Sequence, residues 1–149
     1  MFHYTDCGLL NVWLANGYTT IKTSYGKATA IEDVAGLHRS IGTQLAKEKP
    51  HLIGREFRFL RKELGFSQVM LGVLMGYNDG QQIAKWEKSA RVPKLADGAL
   101  RKLFLESVNE KNTQFTAILK RLQDIDSSNH NAKLVFTDSP KKGWIAKAG

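Results

Sequence analysis

The chain has 149 residues, 42% hydrophobic and 24% charged, a balance that suits a folded globular protein of one ordinary domain or one small domain with attachments. No apolar run approaches the roughly 20 residues of a membrane-spanning helix. The N-terminus, MFHYTDCG, lacks the basic-then-apolar pattern of a secretory signal, so a cytoplasmic protein without membrane contact is expected. The net charge is +8, divided as +1 over residues 1–49, +3 over 50–110 and +4 over 111–149. Such an excess permits phosphate contacts without requiring them.

The pattern predicts an α+β chain in which a small β-rich unit with a helix, residues 1–50, precedes an all-α unit of four to five helices, residues 51–110. Phe2-His3-Tyr4, Val12-Trp13-Leu14 and Tyr18-Thr19-Thr20-Ile21 are aromatic and β-branched runs punctuated by glycine. Asn16-Gly17 suits a tight hairpin turn, because both residues tolerate positive φ, and Lys27 to Ile31 offers a third strand. After Glu32-Asp33, the residues Val34, Leu37, His38, Ile41 and Leu45 recur at helical spacing up to Pro50.

In the second unit, Phe57, Leu60 and Leu64 share one helical face, with Arg55, Arg58 and Lys62 largely off it. Gly65 ends that helix and Ser67 caps the next, which turns Leu71 and Leu74 inward. Gly76 turns the chain into a third helix, Gln81 to Lys88, built around Ile83 and Trp86. Pro93 breaks it, and Ala99 to Val108 supplies a last apolar stripe. Residues 111–126 carry a further apolar face, either packed on the same domain or used for dimerisation, and 127–149 form a basic tail that either adds a strand to the N-terminal sheet or ends the chain loosely.

Catalytic and metal chemistry find little support. His3, His38 and Cys7 lie at irregular spacing for a zinc site, which takes three or four well-spaced ligands. No nucleophile elbow, phosphate loop or paired carboxylate motif occurs. No enzyme activity, metal or cofactor is expected.

The run Phe57 to Gly76, continued by Ile83-Ala84-Lys85-Trp86-Glu87-Lys88 and Val92-Pro93, resembles the helix-turn-helix family of the phage λ repressor and Cro proteins, the XRE family. Arg61, Gly65, Ser67, Gln68, Leu71, Gly76, Ile83, Trp86, Glu87 and Pro93 fall in the family's register. The resemblance implies a protein that reads double-stranded DNA as a homodimer. Leu71, Leu74, Ile83 and Trp86 would set the angle between the two helices, with Gly72 where the family usually has alanine, and Arg61 and Glu87 would form a structural ion pair. Gln81, Gln82 and Lys85 would meet base edges in the major groove, where glutamine suits adenine and lysine guanine. Ser67, Gln68, Asn78, Lys88, Ser89, Arg91 and Lys94 would hold phosphates, Gln68 through both its amide and the backbone N–H groups at the start of its helix. Asn78 and Asp79 are expected to cap the recognition helix.

Two departures stand out. The turn from Gly76 to Ile83 is one residue longer than usual, leaving open whether Gly80, Gln81 or Gln82 leads into the groove, and Ser89 replaces the usual glycine after the recognition helix. The order of a β-rich unit before such a domain also resembles MqsA-type antitoxin regulators, although their paired zinc cysteines are missing. That resemblance implies a second role, with residues 1–50 binding a toxin protein while the rest represses the operon. RNA binding through the basic tail is a third, remote reading.

Overall fold

The computed structural model describes residues 1–109, 117 and 133–146 and is α+β. Strand β1 (Phe2–His3) pairs antiparallel with β2 (Trp13–Leu14), while β3 (Tyr18–Thr23) pairs antiparallel with β4 (Gly26–Ile31) in a separate two-stranded sheet. The hairpin turn is therefore Ser24-Tyr25 and not Asn16-Gly17. The Thr23 hydroxyl donates to the Gly26 carbonyl at 2.7 Å and accepts the Tyr25 N–H at 3.3 Å. Asn16-Gly17 instead links one sheet to the next, because β2 takes β1 as its partner. Gly17 does use its positive φ of 79°, and its carbonyl accepts the Glu32 N–H at 3.0 Å.

Helix α1 (Val34–Glu48) starts where the Asp33 carboxylate accepts the Gly36 N–H at 3.0 Å, which satisfies one of the unpaired donors of the first turn. Its inner face, with Leu45 and Ala46, packs on α2 (Gly54–Glu63) and α5 (Lys94–Ser107). Leu9 from the N-terminal loop joins the same buried cluster, with Leu52, Phe57, Leu60, Leu71, Ile83, Leu100 and Phe104. Residue 50 thus marks no break in packing. Each fully buried large apolar side chain in this cluster contributes about 1.5–3 kcal/mol.

A polar chain adds to this contact. The Tyr4 hydroxyl lies 2.8 Å from His38 Nε2, and His38 Nδ1 lies 2.7 Å from Glu63 Oε1. Burial, followed by the nearby Cys7, Asp6 and Glu63, pushes the Tyr4 phenol above its ordinary value. A carboxylate only accepts, so Nδ1–H donates to Glu63, and Nε2 of that tautomer accepts the Tyr4 O–H.

Helix α5 begins at Lys94, earlier than expected. Pro93 occupies its N-cap with φ −55° and starts the helix, because its carbonyl accepts the Asp97 N–H at 2.9 Å. Asp97, buried in the first turn, also accepts the Leu52 N–H at 2.7 Å and the Arg101 guanidinium. Arg101 reaches on to the Lys49 carbonyl, so α5 clamps the α1–α2 linker.

Helices α2 and α3 (Gln68–Leu74) end alike. Gly65 and Gly76 take positive φ of 75° and 93°, and the Phe66 and Tyr77 N–H groups reach back to the Arg61 and Gly72 carbonyls. Both ends have the six-to-one bond of a Schellman cap. The turn after α3 then brings the Asp79 carbonyl onto Gly72, where an added Cβ would lie 2.0 Å from that oxygen. Gly80 is equally confined, with an added Cβ 2.8 Å from the backbone of Gln68 and Val69. Position 72 is glycine because the turn occupies the space of a methyl group.

Among the described residues the tail forms a hairpin of its own, β5 (Phe136–Ser139) with β6 (Gly143–Ala146), and adds no strand to the N-terminal sheets. The helix expected over 111–126 lies outside the described residues except for Ala117, which is helical.

Helix propensity alone favours alanine over glycine by about 1 kcal/mol. The Asp79 contact reverses the sign, so Gly72→Ala destabilises the protein by about 1–3 kcal/mol, read as a lower urea midpoint. A midpoint at or above that of the parent would contradict the close contact.

Candidate nucleic-acid interface

The frame of the site is a buried ion pair. Arg61 on α2 donates through Nε to Glu87 Oε2 at 2.7 Å and through Nη2 to Oε1 at 3.0 Å, a two-pronged contact across to the end of α4 (Gln81–Glu87). Its third nitrogen, Nη1, donates to the Phe66 carbonyl at 2.8 Å. Gln68 at the start of α3 completes the group, its amide Nε2 donating to Glu87 Oε1 at 3.2 Å. Both charges are buried, so the guanidinium offsets the cost of removing the carboxylate from water. One carboxylate thereby joins α2, α3 and α4.

Close backbone contact tightens the same junction. An added Cβ at Gly54 would lie 2.3 Å from the Glu87 carbonyl, and the Gly54 N–H donates to the Ser89 carbonyl at 3.0 Å. Trp86 is half-buried and stands edge-on to Phe57 and Tyr77, with centroids 6.0 and 5.8 Å apart. Those contacts make it a wall of the core, not a stacking platform.

With Ile83 and Glu87 turned inward, α4 exposes Gln81 and Lys85, four residues apart on one stripe that continues to exposed Lys88. Gln82 is half-buried beside them. Gly80, packed against the backbone of α3, cannot offer a group to a ligand. The Asp79 carboxylate accepts the Gln81 N–H at 3.0 Å and so holds the helix start, whereas Asn78 is exposed and takes no part in capping.

The expected phosphate residues divide. Lys88, Arg91 and Lys94 are exposed around the end of α4 and the start of α5. Ser67 caps α3, its oxygen accepting the Met70 N–H at 3.0 Å. Gln68 points inward to Glu87, so its side chain serves the frame. Ser89 leaves the set: its hydroxyl donates to the Trp86 carbonyl at 2.6 Å and its N–H to the same oxygen at 3.1 Å. These two hydrogen bonds to one carbonyl end α4 without a positive φ.

Three cations beside this surface, read from the sequence only as lying off an apolar face, were not among the expected site residues. Arg55, Arg58 and Lys62 line the outer side of α2, and Arg58 Nε lies 3.9 Å from Glu87 Oε1. Their spacing off the apolar face was the available signal. His3 stacks on Trp13 with centroids 4.2 Å apart, while His38 lies between Tyr4 and Glu63, so the two histidines serve separate contacts. Among the described residues no group of three or more His, Cys, Asp or Glu side chains is arranged to hold a metal, and no helix is long and apolar enough to cross a membrane.

Comparison with models of protein families, with curated proteins and with solved structures returned no match.

Glu87→Gln leaves the Arg61 charge buried without its counter-charge, and losing one member of such a pair costs about 3–5 kcal/mol. Replacing both residues, Arg61→Met with Glu87→Leu, gives a protein more stable than Glu87→Gln alone in urea unfolding. A double variant no more stable than Glu87→Gln would show that burial of an unpaired charge is not the origin of the loss.

Proposed function

We propose that this chain is a sequence-specific regulator of the helix-turn-helix kind, laying α4 in the major groove of double-stranded DNA. The observation that carries the reading is the division of α4 into two faces. Ile83, Trp86 and Glu87 are held by the core and by Arg61, while Gln81 and Lys85 stand exposed on the opposite stripe. A polar stripe on a rigidly held helix, bordered by Lys88, Arg91 and Lys94, supplies base-edge donors beside phosphate partners. Gln81 and Lys85 are the principal readers and Gln82 an accessory one. Ser67 and Asn78 extend the backbone contacts toward α3.

Acting as a homodimer, the protein would repress a gene by binding a palindromic operator with half-sites about 34 Å apart. A toxin-binding role for the N-terminal unit draws on another surface, the exposed Leu10 and Trp13 beside the groove between Val12 and α1. Co-purification of an untagged partner with the full chain, lost on Trp13→Ala, is the result that role requires.

Gln81→Ala combined with Gln82→Ala removes operator-specific binding by about 1–3 kcal/mol for each lost base contact. Salt-dependent binding to unrelated duplexes stays, because lysine and arginine contacts to phosphate supply it. Gel-shift titrations at two salt concentrations separate the two terms. Equal loss of specific and background binding would show that the glutamines are not the readers.

A further inference from the structure

We propose that the cavity between the N-terminal loop and α2 binds a compact phosphorylated anion, a site that excludes the readers Gln81 and Lys85 and meets the α4 stripe only at Lys88. The cavity measures about 830 Å³ and lies among Asp6 to Gly8, the outer side of α2 and the end of α4. That volume falls in the range of small-ligand sites, about 300–1,000 Å³. Four of its lining residues, Arg55, Arg58, Lys62 and Lys88, are exposed cations. The first three recur along one side of α2, and Lys88 comes from the end of α4.

The charge around this cavity is not balanced from within. Among the described residues Lys62 and Lys88 have no carboxylate partner. Arg58 reaches only Glu87, at 3.9 Å, and that carboxylate is already held by two closer bonds from Arg61. Asp6 is the other acid in the lining. Arg55 donates to the Gly8 carbonyl at 3.3 Å and so ties the loop over α2, making a pocket where a bare helix would present an open face. Guanidinium and ammonium groups lining one cavity suit the several oxygens of a phosphate or pyrophosphate group.

The same chemistry comes from two sources, a free phosphorylated molecule or the backbone of bound DNA, and the pocket is assigned to the first. Calorimetric titration of the full chain with inorganic pyrophosphate, at fixed ionic strength, tests this without DNA. Saturable binding is expected, weakened about tenfold or more by Arg58→Ala with Lys62→Ala and unaltered by Lys22→Ala on β3, with unchanged circular dichroism in each. Absence of saturable binding at millimolar pyrophosphate, or equal binding by the Arg58/Lys62 variant, overturns the proposal. A duplex-binding arm separates the sources: affinity for DNA within about threefold of the parent supports a free ligand, whereas a loss as large as that for pyrophosphate assigns the pocket to the DNA backbone. A chain that binds pyrophosphate through Arg58 and Lys62 but binds no duplex upholds the pocket and sinks the DNA reading instead.

Discussion

The Glu87 carboxylate is the point on which the helical part of this protein depends. It lies at the last residue of α4, yet its two oxygens take the Arg61 guanidinium from α2 and the Gln68 amide from the start of α3. Arg61 in turn binds the Phe66 carbonyl, which fixes the chain as it leaves α2. A buried carboxylate without partners would cost several kcal/mol, so the three helices meet in the arrangement that satisfies it. The surrounding apolar core takes Ile83 and packs Trp86 against it, and the directional bonds to Glu87 fix the same face of α4 inward, leaving Gln81 and Lys85 outward.

Close backbone contacts work with the ion pair. Gly54 lets α2 approach the carbonyl end of α4, and Gly72 and Gly80 let the turn lie flat against α3. These three glycines sit where a methyl group would collide with backbone, which cannot move aside as a side chain can. The N-terminal unit is attached to the same frame through Tyr4, His38 and Glu63, and through Leu9 in the common core. Partner binding at residues 1–50 would therefore be felt by α2, a route by which the two proposed activities become linked.

Much of the helical part was legible in the sequence because its signals are local. Ser67 as a cap, Gly65 and Gly76 as helix ends, and the spacing of Phe57, Leu60, Leu71 and Ile83 each act within a turn or two of helix. The strands were less legible. Asn16-Gly17 has the composition of a hairpin turn, but pairing depends on which distant strand is available, and β2 met β1. The start of α5 was missed because proline ends one helix and begins the next equally well, and only the Asp97 contacts to Leu52 and Arg101 decide between them. In the candidate site, the outward placing of Gln81 and Lys85 was implied by the resemblance to the helix-turn-helix family, whereas the inward turn of Gln68 depends on Glu87, far away in sequence.

The central claim is that the frame around Glu87 presents α4 to read duplex sequence. Selection of bound molecules from a random double-stranded DNA pool by the full chain tests it most directly. The account predicts enrichment of one motif made of two inverted half-sites, centred about one helical turn apart. A pool that remains random after repeated rounds, while the protein stays folded, would contradict it.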